Sequence, residues 1–249
     1  MKICIISSSL YSQIPVTGVE VLVKRTVSEL TQQGHNVLVI TTSPRRSTKP
    51  CIEEIDGAKV YSFYPLNIFE RSTGPKHSIL ARLIYHGIDQ LWNPQPYRVI
   101  KGILAQEKPD IVHVYNWRGF SPSVFDAIKS LGLPLVLTAY DYLFICPMSS
   151  LLRGSGEVCV SQPLLCRLYK AAKRLSVGGK PDVVTSGSQF VLNKLNGNGL
   201  FKDTKCIRLF YGIGLEDSHY SEKNYDAINI LYVGNLMMHK GVHILIDAF

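Results

Sequence analysis

Nothing in this sequence approaches the ~20 uninterrupted apolar residues that a membrane-spanning helix needs. The opening run MKICIISSSL carries one lysine and an apolar core too short for a secretion signal, so it reads as a strand. A cytoplasmic protein is expected, held at most to the inner face of a membrane. Charge is sparse: 18% of residues are charged and 46% hydrophobic, which excludes a disordered chain. Paired cysteines are missing too. Cys4, Cys51, Cys146, Cys159, Cys166 and Cys206 are scattered without a CxxC pair, which points to reduced thiols rather than a disulfide scaffold. The loop after the first strand, SSSLYSQIPVTGVEV, lacks GxGxxG, and Gly18 is its only glycine. The second strand runs into ITTSPRRS, placing Arg45 and Arg46 where a ribose-binding acid would stand, so a dinucleotide-dependent dehydrogenase is disfavoured. No DNA or RNA motif, internal repeat or low-complexity tract is present, and no nucleic-acid partner is expected.

What the chain does have is an excess of base, 27 Lys and Arg against 19 Asp and Glu in 249 residues, for a net charge of +8. That balance favours anionic partners, such as phosphorylated small molecules or acidic lipid. It also has a regular rhythm. KICIIS is a continuous apolar run of strand length, and Val19, Leu22, Val23, Val27 and Leu30 follow at helical spacing, with Gly34 as the stop. NVLVIT then completes a βαβ unit. AKVYSFY, DIVHVY, LPLVLTAY, DVVTSG and KCIRLFYG read as further strands. Helices are predicted around ILARLIYHGIDQLW, YRVIKGILAQE, PSVFDAIKSLG, PLLCRLYKAAKRLS and QFVLNKL. This alternation predicts an α/β fold, a doubly wound parallel Rossmann-like sheet with helices on both faces and ligands at the carboxyl ends of the strands. GLEDSHYSEKNYD is a polar linker candidate, after which INILYVG begins a fresh strand. The helix start at Gly18 offers free amides and a dipole to a phosphate, or Gly18 simply lets the chain turn.

Several stretches taken in order, TGVEVLVKRTVSELTQQGHNVLVIT, KPDIVHVYNW, LVLTAYDYLFICP, SQFVLNKL, LFYGIG and ILYVGNLMMHKGVHILIDAF, resemble the family 4 glycosyltransferases. The likeness extends over nearly the whole chain. It implies retaining enzymes of the GT-B architecture, in which two Rossmann-like domains face each other, the first for the acceptor and the second for a nucleotide sugar. On that footing residues 1–215 form the N-terminal acceptor-binding domain and 216–227 a linker. Residues 228–249 begin a truncated C-terminal nucleotide-sugar domain. The implied substrates are a nucleoside diphosphate sugar and a glycan or lipid-linked hydroxyl, in envelope polysaccharide or glycolipid synthesis, with no cofactor and no metal. The 249 residues alone are expected to lack useful activity.

The resemblance also nominates residues. Lys240 matches the family lysine that contacts the donor diphosphate, and Gly234 and Asn235 stand in the turn before it. Asn235 occupies the usual position of an arginine and brings no charge. Gly18 matches the glycine-rich first loop, where Thr17 replaces one glycine. Tyr140 stands where the family shows a histidine thought to contact the transferred sugar; it can donate a hydrogen bond but carries no positive charge. Asp141, at a strand's carboxyl end, is the stronger candidate, as an orienter of sugar or acceptor hydroxyls; its alternative is turn capping. His113 is either a cleft residue or a hydrogen-bonded core histidine. Cys146, Cys159 and Cys166 lack the short chelate spacing of a zinc site, so loop packing is the default. The basic helix CRLYKAAKRLS and the VGGK after it are either a solvated face or a contact for anionic lipid. Two other functions stay open: a GT-B sugar-nucleotide epimerase, and a non-catalytic nucleotide-sugar or glycan-binding module, which the departures at Thr17, Tyr140 and Asn235 would suit.

Overall fold

The computed structural model describes residues 1–8, 10–11, 18–45, 49–66, 92–153, 156–212, 230–234, 236 and 238–249. Eight strands form one sheet: β1 Lys2–Ser7, β2 Asn36–Thr42, β3 Cys51–Ile55, β4 Ala58–Phe63, β5 Ile111–Asn116, β6 Leu135–Thr138, β7 Val183–Ser186 and β8 Lys205–Arg208. Their order across the sheet is β3-β4-β2-β1-β5-β6-β7-β8, and every pairing is parallel except β3 with β4. The helices are α1 Gly18–Gln32, α2 Pro94–Glu107, α3 Ser123–Lys129, α4 Leu164–Val177, α5 Gln189–Gly197 and α6 Val242–Ala248. The predicted helix ILARLIYHGIDQLW, residues 79–92, falls outside the described residues except for Trp92.

Period-two alternation puts the central strands between two cores. Cys4, Ile6, Leu38, Ile40, Val112, Val114, Leu135, Leu137 and Val184 face one side, where α2, α3 and α5 cover them with Ile100, Leu104, Phe125, Ile128 and Leu195. Ile5, Val37, Val39, Val60 and Tyr115 face the other, under Val23 and Val27 of α1. Burial on both faces explains why these strands read as continuous apolar runs. α2 starts three residues before the predicted run YRVIKGILAQE, because the Asn93 side chain accepts a hydrogen bond from the Gln95 N–H (3.0 Å) and Pro94 occupies the first turn.

The doubly wound, mostly parallel sheet is as expected, with one strand not foreseen: β3 is an antiparallel edge strand, closed onto β4 by Asp56 and Gly57, both with positive φ (55° and 74°). Asp-Gly in this conformation is the turn whose twist suits a two-residue hairpin. One expectation is corrected: INILYVG forms no strand over its described residues, 230–234, none of which joins a ladder. Leu231 (87% exposed) and Val233 (85%) have no apolar layer against them among the described residues. The helix foreseen after it does form, as α6, but buries none of its residues.

β1 lies at the centre of the strand order: the chain moves outward from it through β2 on one side and through β5 on the other. The reversal opens the carboxyl ends of β1 and β5 to a ligand.

Candidate functional site at the carboxyl ends of the strands

β1 ends in Ser7 and Ser8, and the Ser8 N–H donates to the carbonyl of Asn116 at the end of β5 (2.7 Å). The loop beyond is pinned by Leu10, which is buried and donates its N–H to Thr41 Oγ1 (3.0 Å). The Ser7 hydroxyl is fully buried and has no partner among the described residues. Gly18 opens α1, and an added Cβ there would meet no atom of a described residue within 4 Å.

The exit from β5 is held by Trp117, packed edge-on to Phe125 at 5.8 Å and capped by the buried Lys173 of α4, whose Nζ lies 4.4 Å from the indole centroid. Trp117 turns the next residue, Arg118, toward the end of β6. There Arg118 Nη2 donates to Asp141 Oδ2 at 3.1 Å and to the hydroxyl of Ser149. The second carboxylate oxygen of Asp141 accepts from the Leu143 N–H at 2.9 Å. Burial pushes the Asp141 carboxyl above its usual range, outweighing the opposing pull of Leu143 and Arg118. The Nε of Arg118 is buried and has no partner among the described residues. The arrangement is a fixed carboxylate and a guanidinium with an N–H left over, both at the ligand-binding end of the sheet. Such a pair can orient hydroxyls and stabilise an anion.

Asp141 therefore sits in the turn-capping geometry named as its alternative and in an ion pair at once. Tyr140, beside it, is half-buried. His113 lies one strand over, on the face covered by α1. Its Nε2 is 2.8 Å from Thr138 Oγ1, which lies 2.8 Å from Thr185 Oγ1, so three side chains link β5, β6 and β7. The ring stacks on Tyr115 with centroids 4.0 Å apart. Burial lowers its pKa to about 4, so it is neutral at physiological pH.

The structure does not bring the donor-side candidates to this cluster through any described contact. Lys240 is exposed at the end of a short 3-10 turn, Met238–Lys240, and makes no ion pair among the described residues. Gly234 has an extended backbone close to the Tyr232 side chain, and Asn235 lies outside the described residues. Among the described residues no three His, Cys, Asp or Glu side chains gather as a metal would require. Arg118 and Ser149 were not foreseen from the sequence. NWRGF, an arginine directly past a strand's carboxyl end, was the signal for the first; Ser149 sits in a loop whose path no local pattern reveals.

The family model for Glycosyltransferase Family 4 matches residues 16–204, well over half of the chain. A curated relative, an uncharacterized 42.6 kDa protein in the cps region of Klebsiella pneumoniae, is 27% identical over 209 residues. That alignment covers 84% of this chain and 55% of the relative, so the chain spans about half of the relative's length. Among solved structures, the UDP-GlcNAc 2-epimerase of Neisseria meningitidis bound to UDP-GlcNAc is 15% identical with a TM-score of 0.46, over 83% of this chain and 45% of that one. The α,α-trehalose 6-phosphate synthase of Burkholderia multivorans is 11% identical with the same score, over 80% and 42%. On the family match and the strand-end geometry together, the chain belongs to Glycosyltransferase Family 4.

Proposed function

We propose that the protein is a retaining glycosyltransferase of the GT-B architecture, and that residues 1–215 form its acceptor-binding lobe. It would transfer a sugar from a nucleoside diphosphate sugar to a hydroxyl of a glycan or lipid-linked acceptor, without a metal ion. The observation that carries this reading is Asp141, fixed at the end of β6 by Arg118 and by the Leu143 N–H within a Family 4 chain. A carboxylate held by two donors keeps lone pairs for a sugar or acceptor hydroxyl, and holding that hydroxyl against the anomeric carbon supplies much of the acceleration such transfer needs. The Arg118 guanidinium, partly exposed beside Asp141, adds positive charge for an acceptor oxygen or for growing negative charge. Gly18 and Lys240 would meet the donor diphosphate, Lys240 from a second domain that residues 228–249 begin. Tyr140 and His113 line the site as neutral hydrogen-bonding groups. The cps-region setting of the Klebsiella relative supports envelope polysaccharide or glycolipid synthesis.

The test uses a gene product extending past Phe249, assayed with nucleoside diphosphate sugars and a panel of glycan and lipid-linked acceptors. Transfer with retained anomeric configuration is expected, together with inactivity of the 249-residue chain. Turnover by the 249 residues alone would overturn the division of labour. Isomerisation of the donor with no acceptor present, or binding of the donor without turnover, would overturn the transferase reading itself.

A further inference from the structure

Among the described residues Lys173 is the only buried lysine or arginine, and it is fully buried. An unbranched apolar residue would fill its place in α4 without taking an ammonium out of water, so the charge has to be compensated from nearby. Two aromatic faces do this. Lys173 Nζ lies 4.4 Å from the ring centroid of Trp117 and 5.2 Å from that of Tyr169, one turn back on the same helix. Each ring leads to one half of the Arg118–Asp141 pair. Trp117 immediately precedes Arg118, and its indole packs on Phe125 at 5.8 Å and on Phe144, in the turn after β6, at 5.9 Å. Tyr169 Oη donates to the carbonyl of Leu143 (2.5 Å), and the N–H of that same residue donates to Asp141 (2.9 Å). Gln162, just before the helix, ties the same turn through the Ile145 carbonyl (2.8 Å).

We infer that Lys173 is a positioning residue: through the faces of Trp117 and Tyr169 it fixes the exit from β5 against the turn after β6, and so holds the Arg118 guanidinium and the Asp141 carboxylate in register for an acceptor hydroxyl. The sheet does not do this by itself. The ladder between β5 and β6 ends at Val114 and Leu137. Past it the two chain ends are tied to different neighbours, Asn116 accepting from Ser8 after β1 (2.7 Å) and Ala139 donating to Thr185 of β7 (2.8 Å). One ammonium seated on both rings links the ends across that divergence. A cation over a ring face resists rotation of the ring away from it, and the backbone leaving Trp117 is fixed with its indole. The role of Lys173 rests on the acceptor-side reading of Arg118 and Asp141.

The experiment compares Lys173→Met, which keeps the length and removes the charge, with Val177→Ala, a cavity at the other buried position of α4. Methionine removes a buried charge without leaving a gap, so Lys173→Met is expected to fold. In the 249-residue chain the readout is the NMR signal of the Arg118 Nε–H, assigned by its loss in Arg118→Lys, and its exchange with solvent. That N–H is buried and should exchange slowly in the parent, about tenfold or more faster in Lys173→Met, and at the parent rate in Val177→Ala. In a gene product extending past Phe249, Lys173→Met should lower kcat for transfer by about tenfold and leave KM for the donor within about twofold. Added to Arg118→Lys, it should lower kcat by less than about a further twofold, because the pair it positions is already lost. Unchanged exchange in Lys173→Met, equal acceleration by Val177→Ala, or full multiplication of the two losses in the double variant would overturn the assignment. An extended protein that transfers no sugar would overturn the transferase reading instead, and the exchange rates would still decide whether Lys173 holds Arg118.

Discussion

Replacing Glu107 by glutamine should destabilise the fold at neutral pH and leave it nearly unchanged in strong acid. At the far end of the sheet from the candidate site, the Glu107 carboxylate accepts from Lys2 Nζ (2.5 Å), Lys59 Nζ (2.6 Å) and Tyr61 Oη (2.6 Å), tying α2 to β1 and β4. Its side chain is 9% exposed, while Lys2 is 27% and Lys59 46% exposed. The hydrogen bonds from Lys2, then Lys59, then Tyr61 lower the carboxyl pKa from 4.5 to about 2. Each pKa unit is worth about 1.4 kcal/mol, which sets a ceiling near ~3 kcal/mol, and solvent screening at the two lysines trims it to about 1–2 kcal/mol. Because the folded pKa is depressed, the stabilisation is complete above the unfolded value of 4.5 and disappears as pH falls through about 2. Urea denaturation of the parent chain and Glu107→Gln across this range should show a gap of about 1–2 kcal/mol at pH 7 that closes toward pH 2. The other carboxylates are common to both proteins and cancel. A gap that keeps its size through the acid range, or none at pH 7, would refute the assignment of these three hydrogen bonds to the ionised carboxylate.

Phe120 is fully buried with its ring 5.3 Å from that of Phe63, so Phe120→Ala should cost about 3–5 kcal/mol in the same denaturation assay. At Gly57 the backbone is left-handed and an added Cβ would fall 2.8 Å from Thr31 Cγ2, so Gly57→Ala should cost more than about 1 kcal/mol and lower the melting temperature. The His113 ring should titrate by NMR near pH 4 and stay neutral from pH 6 to 8; since its folded pKa lies below the unfolded 6.5, this group withdraws stability as pH falls below about 6.5. In a gene product extending past Phe249, Asp141→Asn and Arg118→Lys should each reduce kcat/KM for transfer by about tenfold or more. The loss in stability should stay within about 1 kcal/mol, because Arg118 is 36% and Asp141 23% exposed.

The sequence by itself determined the βα rhythm and the identity of the central strands. Continuous apolar runs such as KICIIS and NVLVIT need cover on both faces, which a parallel sheet with helices on both sides provides. Asp141 was legible because it follows a strand's carboxyl end within one short stretch. The hairpin at Asp56-Gly57 was written in the sequence as well, although the run CIEEI, exposed at every residue but Ile55, gave no apolar alternation to mark it as an edge strand. Tertiary structure alone decided the rest. Arg118 meets Asp141 and Ser149 across 23 and 31 residues of chain, and Glu107 meets Lys2 across 105, because β1, β5 and β6 are laid side by side by hydrogen bonding that has no local signature. The same holds for INILYVG, as apolar as the strands that do pair. Such a run becomes a strand only where a partner strand and an apolar layer meet it, and the pattern of side chains along one segment carries no information about either.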